Sequence, residues 1–253
     1  MINMSSLYEH NDYETTLETF QEQVSNGECT YTDWGVFKPI HMYITKNRCP
    51  ICECLLDNSV TRMTNRGSTT VKATIDHYRP QEFYPFLKCD DKNYILMCSE
   101  CNSEYKKSNF PLYPSDSTRW CEEEFVEEKP LIINPIIDNP LEVFELIFKL
   151  SSRGRKVLEL RPKENTGYLY AKAYETIKVF GLGDCEENRH ENDNIHNCRI
   201  ELLAQHYDRF YALARARKVG KDEFLRVLRE HRENVHYGFT KFIAKEQFEI
   251  IES

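Results

Sequence analysis

Apolar residues recur along the chain with two different periods, and the change of period marks out its parts. Between residues 12 and 26, Leu17, Phe20 and Val24 fall at helical spacing and Gly27 supplies a stop. Pro39 suits the first turn of a second short helix running to Asn47. The pattern then becomes strand-like. Thr69-Thr70-Val71-Lys72-Ala73-Thr74-Ile75 is rich in β-branched residues and predicts a strand, Tyr94-Ile95-Leu96-Met97 predicts a second, and a short helix is expected from Cys101 to Ser108. Beyond Pro111 come Pro114, Pro130, Pro135 and Pro140, then two apolar runs, 144–150 and 156–160. Joined through Ser151-Ser152-Arg153-Gly154, these predict a hairpin. Helices are expected over 168–180, closed by Gly181, and over 195–217, 222–233 and 239–251.

This order predicts an α+β protein in three parts: an N-terminal helical segment at 1–48, a central strand–loop–strand–helix block at 49–112, and a hairpin with a helical body at 113–253. A chain of 253 residues is long enough to bury a substantial core. A net charge of −8 argues against coating nucleic acid through bulk electrostatics, so any phosphate-binding surface must be local or shared with a partner. No run approaches the ~20 apolar residues that span a bilayer, and residues 1–9 lack the basic and apolar regions of a signal peptide. The expectation is a soluble cytoplasmic protein without membrane association.

In a reducing compartment the ten cysteines are read as metal ligands or buried thiols. Cys49-Pro50-Ile51-Cys52 and Cys98-Ser99-Glu100-Cys101 each have knuckle spacing, and four thiolates make a closed, structural Zn²⁺ site. Such an ion would pin the entry of the predicted hairpin to the start of the following helix. Cys54 could replace Cys52 as a ligand. Cys29, Cys89, Cys121, Cys185 and Cys198 stand alone and are expected as small buried hydrophobes.

Between the two knuckles lie residues suited to phosphodiester hydrolysis, which needs a water nucleophile, a base and a cation. Asp76 and His77 end the first strand, so their side chains diverge. A carboxylate is a hard ligand for Mg²⁺ or Mn²⁺, whereas imidazole titrates near neutrality; Asp76 is therefore the expected metal ligand and His77 the base. Asn102, held in place by Cys101, is the second candidate ligand. Asn93 can tie down the loop or orient His77. Lys106, one helical turn beyond Asn102, and Arg79 are the candidate substrate-binding cations.

In that order, Asp76-His77, Asn93 and Asn102 with Lys106 four residues on, the block resembles an HNH endonuclease domain of the ββα-metal class. Asn102 stands where many members carry a final His, a variant the family admits. The resemblance implies a zinc-stapled ββα-metal core embedded in a mostly helical body, with His77 as base and Asp76 and Asn102 as metal ligands. Further segments, among them Tyr84-Pro85, Phe110-Pro111-Leu112, Asn134-Pro135 and 176–182, resemble the HNH subunits of Septu-type antiphage defence operons. That resemblance implies a DNA-cleaving effector and an ATPase partner (PtuA-like).

From Arg199 to Arg232, nine Lys and Arg face five acids on helices with apolar faces. They can be solvated helices packed on a core, a basic shelf extending a nuclease groove, or the docking surface for the ATPase. The alternative function is a zinc-stabilised nucleic-acid-binding or adaptor module without cleavage.

Overall fold

The computed structural model describes residues 1–24, 28–56, 61–64, 67–114, 125–150 and 156–182. The helices expected over 195–217, 222–233 and 239–251, and Cys121, Cys185 and Cys198, lie outside the described residues.

The N-terminal part carries helices α1 (Tyr13–Gln23), α2 (Tyr31–Trp34) and α3 (Lys38–Ile44). Pro39 sits in the first turn of α3, as its fixed φ favours. This helix ends before Asn47 because Lys46 and Asn47 adopt left-handed conformations, φ 48° and 57°. The turn delivers the chain to Cys49. There Leu56 N donates to Asn47 O (2.7 Å) and Cys49 N to Cys54 O (2.9 Å), closing a tight knuckle. Met1 packs onto this knuckle, its amino group ion-paired with Glu53, both fully buried.

Among the described residues, four two-stranded antiparallel sheets follow: β1 (Thr61–Thr64) with β2 (Gly67–Thr70), β3 (Ala73–His77) with β4 (Tyr94–Cys98), β5 (Leu112–Tyr113) with β6 (Lys129–Pro130), and β7 (Phe144–Leu150) with β8 (Lys156–Pro162). The single strand expected over 69–75 is therefore two. It breaks at Val71-Lys72, with β2 turning back to β1 while β3 pairs with β4. β-Branched content marks both halves equally, so it could not show the break.

The β3–β4 register sets Asp76 opposite Ile95 and His77 opposite Tyr94. All five residues of β4 are buried, whereas β3 alternates, with Ile75 and His77 buried and Thr74 and Asp76 half-buried. Next in the chain is a six-residue helix, Cys101–Lys106, wound with i→i+5 bonds and ended by Lys107 at φ 49°. It is shorter than the sequence predicts.

After α4 (Pro140–Val143) and the β7–β8 hairpin, α5 (Gly167–Phe180) closes on Gly181, which is left-handed at φ 61°. A Cβ at Gly181 would sit 2.8 Å from Cε1 of Tyr105, so glycine is needed both for its φ and for close approach to the Cys101–Lys106 helix. One cluster of buried side chains runs from Met1 through Phe37, Ile75, Leu96 and Phe144 to Leu182.

One reading of the cysteines is corrected here. Cys29 and Cys89 form a disulfide with Cα atoms 5.8 Å apart, rather than two isolated buried thiols. Sixty residues separate them, and only the folding of the N-terminal segment against the β3–β4 loop brings them together. Among the described residues, no helix is long and apolar enough to cross a membrane.

Candidate functional site

Cys49, Cys52, Cys98 and Cys101 are all buried, with their sulfurs within 4.8 Å of one another. Cys49 and Cys101 are 3.7 Å apart, as are Cys52 and Cys98. Four sulfurs each ~2.3 Å from a tetrahedral ion lie about 3.8 Å apart, so the quartet has the dimensions of a structural zinc site. Backbone amides support it: Cys98 N donates to Cys49 Sγ (3.4 Å) and Cys101 N to Cys98 Sγ (3.3 Å). Hydrogen bonds from the neighbouring cysteines hold Cys52 below the usual thiol range. Cys54 is buried beside the quartet but outside it. Hydrogen bonds to Cys49, Cys52 and Cys98, then burial, push its thiol far up. The four could hold a structural metal such as zinc, and Cys52 rather than Cys54 completes the set.

Cys98 ends β4 and Cys101 begins the next helix, so the quartet fixes how that helix meets the hairpin. The meeting surface is the polar face of β3. Thr74 Oγ1 donates to Met97 O (3.0 Å) and accepts from Asn102 Nδ2 (3.1 Å). Because the hydroxyl proton is used on Met97, the amide must approach through nitrogen, which leaves Oδ1 of Asn102 as its remaining polar end. Two residues further along the same face, Asp76 Oδ2 lies 2.7 Å from Lys106 Nζ. This contact is an ion pair without the alignment of a hydrogen bond, and Oδ2 is otherwise buried. Asp76 and Asn102 thus offer hard oxygens on one face, a donor set that suits Mg²⁺ or Mn²⁺ rather than a soft metal.

His77 occupies the opposite face, as strand alternation requires. Its ring packs edge-on against Trp34 (4.9 Å between centroids) and Tyr94 (5.2 Å), and the residue is 4% exposed. Burial lowers its pKa, so the ring is neutral near pH 7. Nε2 lies 2.8 Å from Lys88 O and Nδ1 2.9 Å from Gln81 Nε2. The neutral tautomer that satisfies both carries its proton on Nε2, leaving Nδ1 as the basic nitrogen beneath the Gln81 amide.

Asn93 is a loop tie. Its Oδ1 accepts from Arg79 N (2.8 Å), and its Nδ2 donates to Arg79 O (3.1 Å) and Leu87 O (3.2 Å). These bonds close the 78–93 loop and set Lys88 O against the His77 ring, so Asn93 orients His77 only indirectly.

The two expected substrate cations are placed differently from the expectation. Arg79 is buried, ion-paired with Glu128, and stacked near Tyr84, Phe110 and Phe125 at 5.0–5.3 Å. Tyr84 OH also donates to Glu128 (2.6 Å), making this a structural cluster. Lys106 is fully buried, its ammonium also donating to His77 O (2.8 Å). Neither cation is presented to a phosphate. Their sequence positions could not reveal this, because the acidic partner of Arg79 is 49 residues away and that of Lys106 is 30 residues back.

Thr74, Gln81, Trp34 and the Lys88 carbonyl are site groups that motif reading missed. Thr74 was accessible through the period-two relation to Asp76. The others become neighbours only through the loop and N-terminal packing.

No family model matches the chain, and no solved structure matches it. Over 122 residues, 47% of this chain, the sequence is 29% identical to the Septu protein PtuB of Bacillus thuringiensis. The matched region covers 36% of that protein's length.

Proposed function

We propose that residues 49–112 are an HNH-type nuclease core, that 1–48 and 113–253 form the body around it, and that the whole acts as a divalent-metal-dependent endonuclease on DNA. The observation that carries this reading is the Asp76 face, where the helix that follows the cysteine quartet sets Asn102 on Thr74, two residues before Asp76 on the same side of the strand, and Lys106 on Asp76 itself. Pure binding or an adaptor role would need neither that oxygen pair nor a neutral buried histidine one residue away.

In this reading Asp76 and Asn102 hold Mg²⁺ or Mn²⁺, which supplies charge stabilisation on the phosphate and the leaving oxygen. His77 is the base. Its Nε2–H is held by Lys88 O, and Nδ1 takes a proton from water once the Gln81 amide yields. Asn93 keeps the Lys88 carbonyl in place through the closed loop. Zn²⁺ on the four cysteines is structural.

The similarity to PtuB supports a role in Septu-type antiphage defence, with a PtuA-like ATPase as partner. The acidic balance of the chain fits a nuclease that relies on that partner for DNA affinity. We assign the docking to the basic C-terminal region from Ile195 onward.

Cleavage of supercoiled plasmid by purified protein, with Mg²⁺ or Mn²⁺ and with EDTA, tests the activity. It is run with and without a PtuA-like ATPase. Metal-dependent cleavage lost in Asp76→Ala and His77→Ala is the expected result. Metal-independent DNA binding without cleavage under every condition would replace the enzyme by the binding module.

A further inference from the structure

Lys106 is the most deeply buried cation beside the Asp76 face, and the mechanism above leaves it without a task. Its Nζ meets three oxygens: Asp76 Oδ2 at 2.7 Å, His77 O at 2.8 Å and Lys107 O at 3.5 Å. The two carbonyls accept hydrogen bonds and the carboxylate is held as an ion pair, so the ammonium is surrounded by oxygens of the protein. Burying an ammonium is costly without such partners, and here the protein supplies them at the end of β3. The Asp76 side chain keeps 17% of its surface while Oδ2 has none, so Oδ1 is the oxygen left facing outward.

Resting on the reading of Asp76 as a metal ligand, we propose that Lys106 is a positioning residue. It clamps Oδ2 and the His77 carbonyl together, so that Asp76 offers a single oxygen, Oδ1, to a divalent cation. The bond to His77 is to its main-chain carbonyl, so the clamp leaves the imidazole on the other face untouched. Lys106 ends a helix wound with i→i+5 bonds. Lys106 and Asn102, four residues apart, share one face of it, and such windings recur at functional sites.

This role differs in sign from simple electrostatics. Removing a positive charge beside a carboxylate should tighten cation binding at that carboxylate. Losing the clamp should weaken it, since supporting partners of metal ligands typically contribute about 10–100-fold in affinity.

Mn²⁺ binding to the zinc-loaded full-length protein, followed by electron paramagnetic resonance, reads this directly, with Asp76→Asn defining the site. Lys106→Met is expected to bind Mn²⁺ about 10–100-fold more weakly than wild type at unchanged zinc content. Unchanged or tighter binding in Lys106→Met, with binding still lost in Asp76→Asn, overturns the positioning role alone. Wild type that binds no Mn²⁺ removable by Asp76→Asn overturns the metal-site reading and the clamp with it.

Should Lys106→Met fail to fold, the wild-type side-chain ammonium can be followed by ¹H–¹⁵N NMR, identified by its shift in Asp76→Asn. A slowly exchanging Lys106 signal that persists on adding Mg²⁺ supports the clamp. Its loss to rapid exchange on adding Mg²⁺ would show a displaced lysine and overturn it.

Discussion

On one face of β3, Asp76 keeps part of its surface open beside the Lys106 ammonium, and Thr74, two residues back, holds Asn102. One residue on, His77 is 4% exposed between Trp34 and Tyr94. Each group is held by a different part of the chain. The Asp76 face depends on the helix anchored at Cys98 and Cys101, while the His77 face depends on the loop tied by Asn93 and on the N-terminal segment carrying Trp34. Adjacent residues in one strand are thereby placed in different surroundings: a carboxylate left partly open beside a lysine, and an imidazole kept neutral by burial.

If the two faces are independent, damage to one should spare the other, and removing the common support should destroy both. The largest effect is expected from Cys98→Ser. Elemental analysis should show one zinc per wild-type chain and a clear loss in the variant, with the soluble folded fraction falling as well. A zinc-free variant with wild-type circular dichroism and melting would break the link between quartet and site.

His77→Ala should slow plasmid cleavage by ~10²–10⁴-fold, the usual scale for removing a general base. Zinc content and Mn²⁺ binding should stay at wild-type levels, because the ring lies away from the Asp76 face. Loss of Mn²⁺ binding in this variant would mean that the two faces form one site. Cleavage by wild type should rise with pH around a midpoint below the ordinary histidine value of ~6.5, since burial favours the neutral, basic ring.

Asn93→Ala strips a buried loop of three hydrogen bonds, and urea unfolding should show a loss of about 1–3 kcal/mol. The same variant should slow cleavage while sparing Mn²⁺ affinity. Equal loss of both would make Asn93 a general support rather than a tie for the His77 side.

The last prediction concerns acid and lies away from both faces. His41 is fully buried, its Nδ1 makes no hydrogen bond, and burial lowers its pKa to about 3. Above the unfolded value of ~6.5 both states are neutral and stability is at its full value. As pH falls below that, the unfolded chain takes up a proton that the folded protein refuses. Stability therefore declines until about pH 3, by about 2 kcal/mol at about pH 5. Urea unfolding between pH 7 and 5 should show this decline, and His41→Phe should flatten it.

Much of the described architecture was legible from local rules. Helix α5 starts and stops where periodicity and Gly181 indicate, and the β7–β8 hairpin follows its two apolar runs. The cysteine quartet was legible because knuckle spacing is a local property. The Cys29–Cys89 bond and the break at Val71-Lys72 were not, since each depends on which distant segment the chain meets.

Sequence by itself determined the donor chemistry: which residues can ligate, which can take a proton, and their order along a strand and a helix. Their presentation was decided only in the folded state. Arg79 and Lys106 have the charge to hold a phosphate, yet both are buried against carboxylates brought in by long-range packing. His77 has the chemistry of a base anywhere, but its neutral state follows from the rings of Trp34 and Tyr94 closing over it. A residue's functional groups are local, whereas its burial and its counter-ion are properties of whatever the rest of the chain packs beside it.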